Sequence, residues 1–268
     1  MQYNGLRHIH PEARIGNNVT IEPFVNIGRD VEIGDGTWIG SNVCIMDGAR
    51  IGRNCKIFPG AIIGAIPQDL KFSGEYSTLE IGNDVTIREY CTLNRGTKAN
   101  HRTIIADHSL LMAYVHVAHD CLIGKHCVLA NNVTLAGHIE IGDWAVLGGL
   151  VAVHQFVKIG QHAMVGGGSL VRKDIPPFVK AAREPLSYAG INSIGLKRRG
   201  FTAEQIRTIQ DVYRILFIKG YNTSQAVELI RTKVEATPER DHVLDFLLNS
   251  SRGIMKGFRH LNGSKLKS

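Results

Sequence analysis

Between residues 113 and 143 the chain carries His116, His119, His126 and His138, and His154 follows with Gln155 beside it. Imidazole has an unperturbed pKa near ~6.5, so a neutral, basic fraction is present at neutral pH. Two chemistries suit several imidazoles that converge. One is general-base removal of a proton from a poor nucleophile such as a hydroxyl. The other is a zinc centre of three histidines with an open fourth position. Which histidines converge depends on the elements that hold them.

Those elements follow a period of six. Counting in sixes from Ile9 gives Ile15, Ile21, Ile27, Ile33, Ile39, Ile45, Ile51, Ile57 and Ile63. The register breaks, resumes at Ile81, Ile87 and Leu93, and lapses at Ala99. From Ile105 it runs through Leu111, Val117, Ile123, Leu129, Leu135, Ile141, Leu147, Val153, Ile159 and Val165 to Val171. Four places after each aliphatic stands a small or β-branched residue, such as Val25, Val43, Ala49, Cys55, Val85, Cys91, Val115, Cys121 and Cys127. The two columns lie two residues apart, which puts them on one face of an extended chain. The Gly, Asn and Asp residues between them suit corners with unusual backbone angles. No helix has this period, and a single hexad cannot bury its apolar side alone. Stacked hexads can, as a parallel β-helix. The same columns make Cys55, Cys91, Cys121 and Cys127 small core residues, and no CxxC pair argues for a zinc knuckle or a disulfide framework.

Composition narrows the class. Of 268 residues, 44% are hydrophobic and 21% charged, the balance of a soluble globular chain. No apolar run approaches the ~20 residues of a membrane span, so stable membrane insertion is not expected. The start, "MQYNGLRHIHPEA", lacks the basic-then-apolar layout of a signal peptide, and a cytoplasmic location is the expectation. The net charge of +7 favours an acidic partner. Basic residues are dispersed apart from "LKRRG" (196–200) and the tail, and only 7% of residues are aromatic, which speaks against nucleic acid as that partner.

The hexads resemble the hexapeptide-repeat acyltransferases, all-β left-handed parallel β-helices, over residues 9 to about 176. The left hand comes from the resemblance, since parallel crossovers are ordinarily right-handed. The resemblance also implies three hexads per triangular coil. Eighteen residues then return the chain to the same edge, about 4.8 Å further along. On that geometry His119, Gly137-His138 and His154-Gln155 stack along one edge within about 10 Å. His116 lies near the same corner, and His126 falls elsewhere as a plain surface residue.

Two stretches lack the repeat: "AIPQDLKFSGEYSTLE" (65–80) and "GTKANHRTI" (96–104). Repeat proteins throw such insertions outward, often at the binding face. The first carries Gln68, Asp69 and Lys71, polar groups able to hold a sugar or phosphate. After Pro176-Pro177 the hexads stop. Apolar residues at helical spacing (Ile206, Ile209, Val212, Tyr213, Leu216), a Thr202–Gln205 capping box and a stop at Gly220 predict a helix. Further helices are expected over 223–236 and from Thr237-Pro238 to about 250, with an irregular linker from Ile191 to Gly200. The expected organisation is a β-helix domain (1–190), a C-terminal α-helical domain (191–258) and a flexible tail (259–268).

Six motifs in order, "PQDLKF", "HVAHDC", "LANNVTLAGH", "AVHQF", "VGGGS" and "GLKRRGF", resemble the UDP-N-acetylglucosamine acyltransferases of lipid A biosynthesis. The resemblance implies transfer of a 3-hydroxyacyl group from acyl carrier protein to the glucosamine 3-hydroxyl of UDP-N-acetylglucosamine, in a homotrimer, with no cofactor, metal or covalent intermediate. His119 matches the general base and Asp120 its orienting partner. Those two are neighbours, and neighbours in extended chain point to opposite faces, so they meet only if the backbone turns a corner there. Gly137 is expected to supply an oxyanion N–H. His116, His138, Gln155, Asp69 and Lys71 match positions at or against the nucleotide sugar, with Gln68 beside them and His154 shaping the site. Asn192, Arg198 and Arg199 match those near uridine and phosphates, and Gly167 the place that limits acyl length. The family commonly has Glu where this chain has Ile194. Zinc-dependent hydratases share the repeat, and a non-catalytic scaffold is the third reading.

Overall fold

The computed structural model describes residues 6–257. It is a left-handed β-helix followed by a helical region. Each hexad contributes a short strand, and among the described residues the strands collect into three sheets of nine, eight and eleven members, parallel throughout the hexads. Register is coil to coil: His116 pairs with Thr134 and Thr134 with Ala152, eighteen residues each time.

The inserted loops alter that spacing without altering the phase. Ile62 pairs with Thr92 thirty residues on, and Thr92 with His116 twenty-four on. Both insertions are thus multiples of six, which is why the hexad count survives across them on paper. The second break is shorter than the sequence pattern indicates, because Arg102–Ile105 is already a strand paired with Thr78–Ile81.

Both inward columns are buried as the hexads require. Ile27, Ile39, Ile57, Leu93, Leu111, Val117, Leu129 and Leu135 are fully enclosed, and so are Ala49, Cys55, Cys91, Cys121 and Cys127. Each large aliphatic buried here contributes about 1.5–3 kcal/mol. Burial pushes the Cys91, Cys121 and Cys127 thiols up to about 12, which keeps them protonated and unreactive.

The corners hold a feature the repeat did not announce. Left-handed backbone recurs at His108, His126, Trp144 and His162 along one corner, at Tyr90, Tyr114, Asn132 and Leu150 along a second, and at Asp120, His138 and Phe156 along the third. A residue with a Cβ gives up roughly 1–2 kcal/mol in that conformation. Ring stacking from one coil to the next offsets it, at about 0.5–1.5 kcal/mol per pair. His126 is therefore a rung rather than a plain surface residue, stacked on His108 at 4.8 Å and on Trp144 at 3.9 Å.

Beyond the last hexad, strands Val179–Ala182 and Ser187–Ile191 pair antiparallel. Among the described residues four helices follow: α1 (Ser193–Arg198), α2 (Ala203–Phe217), α3 (Thr223–Lys233) and α4 (Pro238–Leu248). The stretch 191–200 is thus not an irregular linker. Asn192 caps α1 by accepting from the Gly195 N–H, and buried Leu196 anchors the helix. The Thr202–Gln205 capping box opens α2, which buries Ile206, Ile209, Val212, Tyr213 and Leu216. Asp174, fully buried, fastens this region to the prism: it accepts from the Lys158 N–H at 2.9 Å and from Ser250 Oγ at 2.6 Å. Of the expected tail, 259–268, every residue lies outside the described ones.

His162 is a buried rung whose pKa falls to about 4, chiefly through burial and then through the charge of Arg199, with Asp143 opposing and His242 adding to the fall. Between that value and the unfolded value of ~6.5 the unfolded chain binds the extra proton, so stability rises with pH across this window and is full above it. Denaturant melts of the wild type should lose stability from pH 6.5 down to 4, and His162→Phe, which keeps a ring in the stack, should lose less over the same range.

Candidate active site

The strand His116–Val117 ends two residues before His119, and His119 and Asp120 together turn the corner. Asp120 has φ +58°, and this turn aims two neighbouring side chains at each other. His119 Nδ1 lies 2.8 Å from Asp120 Oδ2. The eighteen-residue lap is met at this corner too: the His138 N–H donates to the His119 carbonyl at 3.0 Å, and the Phe156 N–H to the Gly137 carbonyl at 3.2 Å. His119, Gly137 and Gln155 therefore form one column. Asp120, His138 and Phe156 form the next.

Asp120 is 1% exposed. Its Oδ1 accepts from the backbone N–H groups of Thr97 (3.0 Å) and Asn100 (3.2 Å), and its Oδ2 from the Thr97 hydroxyl (2.7 Å) and His119. Burial alone would raise its pKa, but hydrogen bonds from Thr97 and His119 and the charge of His138 carry it below the usual carboxylate value. Its own N–H donates to Thr103 Oγ1 at 2.8 Å. The loop 96–102 thus encloses the carboxylate. Nothing in the sequence singled out Thr97, Asn100 or Thr103; the only signal was the lapse of the hexads at Ala99.

His138 stands perpendicular to His119 with ring centres 5.0 Å apart and stacks on Phe156 at 4.6 Å. Burial lowers its pKa, with His119 pushing the same way and Asp120 and Asp69 opposing. On the first loop Asp69 Oδ1 accepts from the Lys71 N–H at 3.0 Å, and Gln68 and Lys71 are exposed. The two loops are tied together, since Glu75 accepts from the Lys98 N–H and Asn94 Nδ2 donates to the Ile66 carbonyl at 2.6 Å. His116 is half-buried, its pKa lowered by burial, with Nδ1 2.7 Å from Thr92 Oγ1. His154 is exposed, its Nδ1 facing the Gln155 carbonyl.

Other expected site residues lie elsewhere on the chain. Asn192 is buried, and its Nδ2 donates to the His162 carbonyl. Arg199 lies over the Trp144 ring at 5.1 Å and beside His162, with exposed Arg198 next to it. Gly167 precedes the corner residue Gly168, and its missing Cβ would sit 3.1 Å from the Gly149 carbonyl oxygen. These groups belong to the two corners that do not carry His119.

His119, Asp120 and His138 offer ligand atoms within 4.8 Å of one another, the one such group among the described residues. The donor set does not suit a cation. An ionised carboxylate has about four lone-pair sites, and here the N–H and O–H of Thr97 and the N–H of Asn100 take three of them. His119 turns Nδ1 toward Asp120, and its Nε2 has no hydrogen-bond partner among the described residues.

Residues 102–137, which include this corner, match the bacterial transferase hexapeptide family, so the prism is that of a hexapeptide-repeat transferase. Residues 174–255 match the second domain of UDP-N-acetylglucosamine O-acyltransferases. The acyl-[acyl-carrier-protein]–UDP-N-acetylglucosamine O-acyltransferase of a Sulfurihydrogenibium species is 57% identical over 253 residues, 92% of this chain and 93% of its own. That of Chlorobaculum parvum is 62% identical over 188 residues, 70% of this chain and 71% of its own. The crystal structure of the Bacteroides fragilis UDP-N-acetylglucosamine acyltransferase superposes with a TM-score of 0.93 at 50% identity, covering 95% of this chain and all (100%) of that one. The chain belongs to the UDP-N-acetylglucosamine O-acyltransferase family and is an O-acyltransferase.

A Cβ on Gly137 would fall 2.5 Å from His119 Cε1 and 2.7 Å from Nε2. The glycine is the space in which the imidazole sits. Gly137→Ala should displace the ring and lower kcat by about 100-fold or more, with the circular dichroism spectrum and melting temperature close to wild type.

Proposed function

We propose that the protein transfers a 3-hydroxyacyl group from acyl carrier protein to the 3-hydroxyl of UDP-N-acetylglucosamine, the opening step of lipid A biosynthesis, with His119 as general base. The observation that carries this reading is the His119–Asp120 bond. A buried carboxylate that is already ionised holds Nδ1, and Nε2 is left to take the sugar's proton. As that proton moves to Nε2, the hydroxyl oxygen attacks the thioester carbonyl. The tetrahedral intermediate then collapses, the C–S bond breaks, and the imidazolium returns its proton to the departing thiolate. No covalent enzyme intermediate and no cofactor are needed. General-base assistance of this kind gives about 10²–10⁴ in rate.

The oxyanion is assigned to the N–H of Gly137. That glycine lies against the His119 imidazole, and its N–H has no acceptor among the described residues. Such a donor contributes about 3 kcal/mol to the transition state. Asp69, Lys71 and Gln68 on the first loop, with His116, His138, His154 and Gln155 on the prism, form the sugar-facing wall.

One chain leaves the site open. Arg198, Arg199, Asn192 and Gly167 match binding positions, yet they stand at other corners. A homotrimer with neighbouring prisms edge to edge would set them opposite His119, and we assign the site to that cleft. The positive net charge steers the acidic carrier protein toward it. Among the described residues no helix is long and apolar enough to cross a membrane, and we place the reaction in the cytoplasm.

Purified protein should acylate UDP-N-acetylglucosamine when given a panel of 3-hydroxyacyl carrier proteins, and His119→Ala should lose at least about 100-fold in kcat. Turnover by the variant equal to wild type would remove His119 from the mechanism. Full activity after exhaustive chelation is the expected result, and loss on chelation with recovery on zinc would favour the hydratase-like chemistry instead.

A further inference from the structure

The hydrogen-bond chain behind Asp120 has a direction, and Thr97 sets it. An amide N–H can only donate, and the Ala99 N–H points at Thr97 Oγ1 from 3.2 Å. The hydroxyl accepts there and turns its own proton toward Asp120 Oδ2, 2.7 Å away. The Thr97 and Asn100 N–H groups already occupy Oδ1. Each of these three donors points its proton at the carboxyl group, and together they favour its ionised form. The ionised carboxylate meets His119 as an acceptor, which places the proton on Nδ1. We propose that Thr97 is a positioning residue that holds Asp120 ionised and thereby fixes His119 in the tautomer with a free Nε2. This inference rests on the reading of His119 as the base.

The loop is built for the purpose. Thr97 is 6% exposed, and its carbonyl accepts from the His101 N–H at 2.7 Å. Gly96 lets the loop close on itself, because a Cβ there would meet the Arg102 backbone nitrogen at 2.2 Å. The Gly96 N–H donates to the Thr78 carbonyl, and the Lys98 N–H to Glu75, so the first loop braces the second. Thr103, from the strand that follows, holds the Asp120 N–H. The titratable groups facing the His119–Asp120 pair are His138, with Nε2 3.8 Å from Asp120 Oδ2, and, through His138, Asp69. Neither replaces the Thr97 hydroxyl.

Removing that hydroxyl takes a donor from the carboxylate. Asp120 then holds a proton more readily and binds imidazolium more tightly, so both partners hold protons to higher pH. The test compares Thr97→Val, which keeps the shape, with Thr97→Ser, which keeps the hydroxyl. In Thr97→Val the acidic limb of the kcat/KM profile should move up by about half a pH unit or more, and kcat should fall about tenfold or more. Thr97→Ser should restore both. A Val profile that superposes on wild type, or equal loss in Val and Ser with an unmoved limb, overturns the proposal. A second measurement needs no variant and no substrate. Long-range proton–nitrogen NMR of the wild-type protein at neutral pH should show His119 protonated on Nδ1 alone, and a proton on Nε2 overturns the proposal. If the wild type transfers no acyl group while the NMR shows His119 protonated on Nδ1 alone and that tautomer is lost in Thr97→Val, the functional reading fails and the role of Thr97 stands.

Discussion

Each coil passes its backbone N–H groups to the carbonyls of the coil above it, and every other property of the molecule is built on that transfer. It fixes the lap at eighteen residues wherever no loop intervenes. It converts a short sequence period into columns that run the length of the prism. Along the inside those columns are aliphatic and dry. Along the outside they bring residues far apart in sequence within one strand spacing, and His119, Gly137 and Gln155 become neighbours for that reason alone. A single coil has no core and no site. Stacking supplies both, as expected for a solenoid.

The corners make the stack chemically useful. A left-handed residue reverses the alternation of side chains, so Asp120 can face the imidazole that precedes it. On the corner that carries Trp144 the same conformation lines up rings, and stacking makes the strained angles affordable. One backbone device thus serves a structural ladder on one edge and the His119–Asp120 pair on another. What differs is only which residue stands at the turn.

The hexads were readable at once, because a period of six repeated from Ile9 to Val171 has no competing explanation. The His119–Asp120 meeting was not readable, since it hinges on the sign of one dihedral angle. Resemblance to known acyltransferases named the pair, and the turn at Asp120 explains how they touch. The stretch before Gly200 looked irregular for want of a run of apolar residues, yet Asn192 as a cap and Leu196 as an anchor suffice for a short helix. His126 was misjudged because its ladder joins unlike rings, His108 and Trp144 eighteen residues to either side, which no shared residue type marks as a column. Thr97 was invisible for a deeper reason. Its hydroxyl matters through the donor behind it and the acceptor in front of it, and the lapse of the repeat at Ala99 hid both.

The two excursions from the prism also bear on how such folds diversify. Spanning thirty residues rather than eighteen between paired strands is less than a doubling of the tether, and each doubling adds only about 0.6 kcal/mol of closure entropy. A scaffold of this kind can therefore acquire new surface loops at almost no thermodynamic cost, and selection is free to vary the ornament while the column stays fixed.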